Sequence, residues 1–446
     1  MTKIKFINHA GILISSKTIN LLVDPWTKGG AFNNSWDLIS KSGSIDYKKL
    51  THVWISHEHP DHFSVYDIKK IIKLNPSVVF LFQHTKDKRL TNFIKNLGGV
   101  TVEKKNNELY FFNDNDFIRI IKCGSIDSLS IIKIDNKVIV NMNDCIVGNE
   151  IRKLTNVISS LKVDCLLTQF GYASFISNND QKIERKKAAD KKLIQIEEQI
   201  NFFQPKYVIP FASFIYFSHK ENFYMNKQQN TLEKVKATII RKGAIPIILY
   251  PNDIFLFKKK NTSKAMNSYK YDLKNIKPKN YNKRVAINIL MHKAKLYLDR
   301  MKKFHGSYVY TYLNLISKLY YLLGRNRFNK IVFFISDLSI KVEFSYLYGL
   351  NIINNHKEPD IFLSSQSLEY IFDFDWGMDS LIVNARFEVS NNMSKTLLQR
   401  IFLLGNLKSR EISLKKKPLA LFNKYSRFES LEPINCFLES KALVEK

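Results

Sequence analysis

The run Ser56-His57-Glu58-His59-Pro60-Asp61-His62 brings four metal-seeking side chains, His57, His59, Asp61 and His62, within six residues. Neutral imidazole nitrogen and carboxylate oxygen are the donors a borderline divalent metal prefers. The run follows Val53-Trp54-Ile55, which reads as the end of a buried strand. On an irregular turn there, His57 and His59 can converge on one ion, and Asp61 and His62 can turn toward a second. A continuing strand would splay them to opposite faces. The bland alternative is a His-rich surface turn, but three His and an Asp at this spacing behind a buried strand rarely arise by packing.

The elements that must hold this loop are short strands that later alternate with helices. Lys3–Ile7, Gly11–Ser15 and Ile19–Asp24 read as a meander, and Thr51–Ser56 as a strand entering the loop. Helical period covers Val65–Leu74 and Lys86–Leu97, with a buried-type strand at Val78–Phe82 between them. Strands follow at Val100–Lys104, Leu109–Phe112, Phe117–Lys122, Leu129–Ile134 and Lys137–Asn141. A helix at Gly148–Leu161, a strand at Val163–Thr168, a long helix at Gln181–Phe203 and a strand at Tyr207–Pro210 complete the first half. The charged run within Gln181–Phe203 reads as a solvated face.

Lys258–Lys283, rich in Lys and Asn without periodicity, reads as a linker. The expected division is therefore 1–257 as a metal-binding domain, 258–284 as a linker, and 285–446 as an accessory α+β domain. Beyond the linker the pattern gives helices at Val285–Met301 and Tyr308–Leu323. Strands follow at Lys330–Ser336, Ile340–Tyr346 and Leu381–Phe387, then a helix at Ser394–Leu404. Asp373, Asp375 and Asp379 lack the glycine pattern of a calcium loop, and Arg386 reads as an exposed strand residue.

Across 446 residues, 45% hydrophobic and 13% aromatic content supports a large core rather than a disordered chain. Four scattered cysteines, Cys123, Cys145, Cys165 and Cys436, form no CxxC pair, which excludes a disulfide framework and a zinc ribbon and fits a reducing compartment. The formal charge of +29 favours anionic partners, although the basic residues are spread along the whole chain. They form no stripe and no nucleic-acid motif, so a nucleic-acid partner is not expected. The N-terminus is too polar for a signal peptide, and no stretch of 18 apolar residues spans a membrane. A cytoplasmic location is the default expectation.

The spacing His57-x-His59-x-Asp61-His62, with Asp24 at an upstream strand end, resembles the metallo-β-lactamase superfamily. The resemblance covers about residues 1–257 and implies an αββα sandwich with a one- or two-metal site at one sheet edge. It further implies that Asp144, in Asn141-Met142-Asn143-Asp144-Cys145, bridges both metals. The segments Gln169-Phe170-Gly171-Tyr172-Ala173, Pro210-Phe211-Ala212-Ser213 with Ser218-His219, and Gly377-Met378-Asp379-Ser380-Leu381 are similar to the CMP-N-acetylneuraminate hydroxylase branch. That branch carries a Rieske centre, which needs paired Cys/His motifs; this sequence has neither Cys-x-His nor Cys-x-x-His.

The resemblance also implies a third ligand His ahead of the bridging Asp. Here the region reads Lys122-Cys123-Gly124-Ser125-Ile126-Asp127-Ser128; either Cys123 or Asp127 substitutes, or the first metal lacks a protein ligand there. A final ligand His is implied after the Tyr207–Pro210 strand, and His219 is the nearest candidate, against a surface or substrate-facing role. His9 lies on the first hairpin, where related members carry a His-Ala/Ser segment near the metal mouth; it is read either as substrate-binding or as structural. The function implied first is hydrolysis of an anionic phosphodiester, lactone or amide by metal-bound hydroxide. Two divalent ions, zinc first and iron or manganese as alternatives, would supply that hydroxide, with Asp61 orienting it. The alternative is a di-iron oxygenase acting on a nucleotide sugar or glycan precursor, with a separate Rieske or ferredoxin partner. A nuclease and a non-catalytic binding protein are the weaker readings.

Overall fold

Strands such as Leu21-Leu22-Val23 and Val53-Trp54-Ile55 are apolar at consecutive positions, the pattern of a strand covered on both faces. All six side chains are fully buried. The computed structural model describes residues 1–124, 126–153, 161–280, 283–322, 329–354 and 356–415. Cys436, positions 154–160 of the expected Gly148–Leu161 helix and positions 416–446 of the expected accessory domain lie outside them. Among the described residues, no helix is long and apolar enough to cross a membrane.

The chain divides into two units. The first comprises Met1–Ala173, Ile183–Ser218 and Asn226–Pro278. Its strands in chain order are β1 (Lys3–Asn8), β2 (Gly11–Ser15), β3 (Asn20–Val23), β4 (Trp36–Leu38), β5 (His52–Ile55), β6 (Val79–Gln83), β7 (Val100–Lys104) and β8 (Glu108–Phe111). They continue as β9 (Phe117–Cys123), β10 (Asp127–Ile134), β11 (Lys137–Asn141), β12 (Cys165–Gln169), β13 (Tyr207–Phe211), β14 (Ile215–Phe217), β15 (Ile245–Pro246) and β16 (Ile254–Phe255).

Two seven-stranded sheets run in the orders β16-β1-β2-β3-β5-β6-β7 and β15-β13-β12-β11-β10-β9-β8, with a small β14-β4 ribbon beside them. Helices Val65–Leu74 and Arg89–Asn96 cover the outer face of the first sheet, where Ile68, Ile71, Leu90 and Ile94 join Val53, Ile55, Phe80 and Phe82 in one apolar cluster. The result is the expected αββα sandwich. β3, β5 and β6 are parallel neighbours, as are β11, β12 and β13. Their carboxyl ends therefore emerge side by side, the usual place for a site in parallel sheets.

The stretch that reads as a linker carries a helix, Ser263–Asn275. Its buried residues Ala265, Met266 and Tyr269 make a narrow stripe that the surrounding Lys and Asn hide in the sequence. Tyr269 packs 4.9 Å from the Phe214 ring, which ties this helix to the first unit.

The second unit takes Ser174–Lys182 and His219–Met225 from the first half of the chain and joins them to residues from Lys279 onward. Its strands β17 (Lys330–Ile335), β18 (Ile340–Ser345), β19 (Gly349–Ile352), β20 (Ile361–Leu363) and β21 (Phe387–Val389) form one sheet of order β19-β18-β17-β20-β21. The expected strand Leu381–Phe387 is instead the helix Gly377–Asn384 followed by β21. The β-branched run misleads: Met378, Leu381 and Asn384 are buried at helical spacing, and Ala385 turns left-handed at φ 57° to end the helix. Gly377 fits because a Cβ there would lie 2.4 Å from the Tyr370 carbonyl oxygen. Arg386 is not exposed: only 1% of it reaches solvent, and its Nε donates to Glu221 at 2.8 Å. The second unit is α+β, as expected.

Candidate metal centre

Four turns leave the carboxyl edges of the first unit with non-glycine residues in left-handed backbone: His9, Asp24, Asn143 and Ala212, at φ 42°, 39°, 44° and 49°. Such conformations are costly and persist where the surroundings hold them. Asn143 is eased by its Asx turn, its N–H donating to Asn141 Oδ1 at 3.0 Å. That bend places Asp144 at the mouth. The His9 N–H donates to Asn8 Oδ1 at 2.9 Å, and the His9 carbonyl accepts from Ala212 at 2.8 Å, pinning the hairpin across to β13.

Asp24 lies beside Ser56 because β3 and β5 pair in parallel, with Val23 opposite Trp54. The Ser56 N–H and Oγ–H donate to the two oxygens of Asp24 at 2.8 and 2.6 Å. His62 Nδ1 donates to the same carboxylate at 2.8 Å, and His57 Nδ1 reaches Ser56 Oγ at 3.0 Å. This chain fixes a proton on Nδ1 of both rings and turns Nε2 toward the cluster, as an orienting carboxylate does for metal-bound histidine. Ser128 Oγ donates to the Ser56 carbonyl at 2.6 Å, joining the start of β10 to the loop.

Three overlapping groups of ligand atoms result: His57, His59 and Asp127; His57, His62 and Asp144; and His9, Asp61 and His62. Within each, the donor atoms lie within 4.8 Å of one another. His57 Nε2 is 2.9 Å from His59 Nδ1 and 3.7 Å from Asp127 Oδ1. His62 Nε2 stands 3.4 Å from Asp61 Oδ2 and 3.6 Å from Asp144 Oδ1. His9 Nε2 meets Asp61 Oδ2 at 3.2 Å. Asp144 thus shares a group with a histidine from each of the other two, the placement expected of a bridging carboxylate. Of the two substitutes for the third ligand His, Asp127 is in a group and Cys123 is not.

His9, read as facing substrate or as structural, is buried against Asp61. His219 is in none of the three groups. It belongs to the second unit, where its Nδ1 accepts from the Glu221 N–H at 3.2 Å.

The electrostatics follow from burying this many ionisable groups together. Desolvation, helped by the neighbouring His62 and His59, drives His57 well below the ordinary imidazole value. Burial pushes His62 the same way, but Asp61, Asp144 and Asp24 overcome it and hold His62 well above that value. Burial opposes ionisation of Asp61 and Asp144, yet His62 in particular holds both below the usual carboxylate range. Asp24 is raised, because its complete burial outweighs the bonds from His62 and Ser56. Asp61 Oδ1 and His62 Nε2 are buried without a hydrogen-bond partner. Buried polar atoms without a hydrogen bond are costly; Asp61 Oδ1, and His62 Nε2 once its proton leaves, offer the lone pairs a metal takes.

Two residues that sequence reasoning did not connect support Asp144. Gln169, at the end of β12, donates from Nε2 to Asp144 Oδ1 at 3.0 Å, and Lys192 donates to Gln169 Oε1 at 2.6 Å. The signal lay in the helix Lys182–Phe203. Ala189, Lys192, Ile196, Gln199 and Phe203 fall on one stripe, so two polar residues stand where the core-facing side chains belong. Gln199 uses that position to donate to the Cys145 carbonyl at 3.2 Å.

A two-sheet sandwich with a His/Asp cluster at the carboxyl ends of parallel strands defines an α/β metal-site domain. Residues 3–130 of the 446 match the β-lactamase superfamily domain. Among curated proteins the chain is 25% identical over 249 residues to cytidine monophosphate-N-acetylneuraminic acid hydroxylase of Macaca mulatta, covering 51% of this chain and 41% of the relative. The Danio rerio hydroxylase is 25% identical over 250 residues, with 51% and 40% covered. The chain thus spans about two fifths of the length of these relatives. Among solved structures, the metallo hydrolase Igni18 of Ignicoccus hospitalis aligns at TM-score 0.42 and 15% identity, covering 58% of this chain and 99% of that one. CmlA, a diiron β-hydroxylase of Streptomyces venezuelae, aligns at TM-score 0.39 and 14% identity, covering 57% and 54%.

Proposed function

We propose that the chain is a dinuclear metal-dependent hydrolase of an anionic substrate. The observation that carries this reading is the pair of buried, unpartnered donors Asp61 Oδ1 and His62 Nε2 inside three overlapping ligand groups. His57, His59 and Asp127 would hold one ion, Asp61 and His62 the other, and Asp144 both. Divalent ions there supply Lewis acidity and lower the pKa of coordinated water to about 7. Asp61, held by His9 Nε2, aims one oxygen at the site and orients the attacking water there. His9 is then a positioning residue for that carboxylate, beside or instead of a substrate contact. The net charge of +29 favours an anionic substrate.

One observation favours a second reading. Apart from the shared Asp144, the first ion would have two imidazoles and one carboxylate, Asp127, the set typical of non-haem iron oxygenases. On that reading the substrate is a nucleotide sugar, as the name of the curated relatives suggests, and electrons come from a Rieske or ferredoxin partner. Both readings are tested on protein purified anaerobically and aerobically, by metal analysis and by turnover of phosphodiester and lactone model substrates. Two ions per chain with oxygen-independent hydrolysis is the expected result. Two irons with no hydrolysis, and oxygen uptake on adding a reduced ferredoxin and a CMP-sugar, would replace the first reading by the second. Asp127→Ala should lose one of the two ions under either.

A further inference from the structure

We propose that Gln169 and Lys192 are positioning residues that hold Asp144 in its bridging pose, with Lys192 acting through Gln169. The inference rests on the reading of the centre as a two-metal site and goes beyond it by assigning a role to two residues outside the ligand set. A glutamine amide can offer either its oxygen or its nitrogen to a neighbour. Here the Lys192 ammonium, a donor with no acceptor capacity, occupies Oε1 at 2.6 Å. The Nε2 end must then face Asp144, and it does so at 3.0 Å from Oδ1. The same oxygen lies 3.6 Å from His62 Nε2, so the amide stops the carboxylate from swinging out of the cluster.

The arrangement is built into the fold. Gln169 is the last residue of β12 and is buried, and Thr168 beside it bonds Gln199 of the same helix that carries Lys192. Gln199 in turn holds the Cys145 carbonyl. The helix Lys182–Phe203 therefore reaches the Asp144 loop at two separate points. One is the side chain of the bridging residue, through Gln169; the other is the backbone that follows it.

Partners that orient metal ligands typically change metal affinity by roughly 10–100-fold when removed. The test is a double-mutant cycle on the full chain, with manganese(II) affinity measured by competition with a chromophoric chelator and folding followed by circular dichroism of the metal-free protein. Gln169→Met keeps the side-chain volume and removes the amide; Lys192→Met removes the cation. Each should weaken manganese binding by roughly 10-fold or more, with the metal-free fold unchanged. Because Lys192 acts through Gln169, the double variant should bind no more weakly than Gln169→Met alone. Lys192→Arg, which keeps a cationic donor, should retain most of the affinity. If Gln169→Met unfolds the protein, the Met and Arg variants of Lys192 decide the matter alone. Affinity within twofold of the parent in Gln169→Met, or additive losses in the double variant, would overturn the inference while the parent still binds two ions. A parent that binds no manganese, iron or zinc would instead overturn the two-metal reading and this inference with it.

Discussion

At the scale of single residues, the centre depends on which ring nitrogen of each histidine keeps its lone pair. Asp24 and Ser56 decide this for His57 and His62 without belonging to any of the ligand groups. Asp24→Asn should lower metal affinity by roughly 10–100-fold while leaving the ligands in place, measurable by competition with a chelator. The pH dependence has a definite sign. His62 is held well above its ordinary value by Asp61, Asp144 and Asp24, which outweigh burial, so in the metal-free protein it carries a proton near neutrality. Metal must displace that proton. Affinity should therefore rise with pH through the neutral range. Titration calorimetry in buffers of different ionisation enthalpy should show proton release at pH 7, and an affinity independent of pH would count against this account.

The loop 56–62 was legible in the sequence because its donors lie close together; Asp24 was legible as a strand end of the resemblance, but its bonds to Ser56 and His62 were not. Asp24 is 32 residues from Ser56, and only the parallel β3–β5 pairing joins them. Asp127 was legible as one of two substitutes; choosing between it and Cys123 needed the start of β10, which no periodicity fixes. Lys192 was lost in a run of charges that reads as solvated, although its place on the apolar stripe of its helix was visible.

At the scale of elements, strands and long helices were legible because apolar period and flanking breakers agree; Val65–Leu74 is found with the bounds the period gives. Failures came where a β-branched run sits in a helix. Leu381-Ile382-Val383 has strand composition, and only burial at helical spacing reveals the helix Gly377–Asn384. That helix carries its own pH response. Burial raises the Asp379 carboxyl to about 6, against Arg410 and the Asn406 amide. The native state then holds this proton more tightly than the unfolded chain, so the contribution of Asp379 to stability is fully present below about pH 4 and is lost as pH climbs through about 6. Asp379→Asn should flatten this slope, with a gain of about 2 kcal/mol near pH 7 after discounting partial exposure. Urea unfolding at pH 4.5 and 7.5 would show it, and a parallel fall in parent and variant would refute it.

At the scale of the whole molecule, the two units do not divide the sequence at one point. A boundary at 257 cuts off Ser263–Asn275, whose Tyr269 packs on Phe214. A chain ending at 278 keeps that helix yet strands Ser174–Lys182 and His219–Met225, which belong to the second unit. Truncation after 257 should yield less soluble protein than truncation after 278. Both fragments should be cleaved by protease within 174–182, where the full chain resists. A 257-residue fragment as resistant as the full chain would sink this expectation.

That interleaving also bears on how the molecule is made. Asn178 bonds the Val389 backbone in both directions, at 2.7 and 2.9 Å, across 211 residues of sequence. A ribosome adding roughly 5–20 residues per second needs about 10–40 s to cover that span. During this interval the nascent chain can close both sheets of the first unit while segments 174–182 and 219–225 still lack their partners in the second unit. Those segments, with Phe175 and Tyr224 otherwise buried, are then exposed apolar surface on a half-made protein. Late closure, rather than the metal centre, is where a chaperone would engage this chain during synthesis.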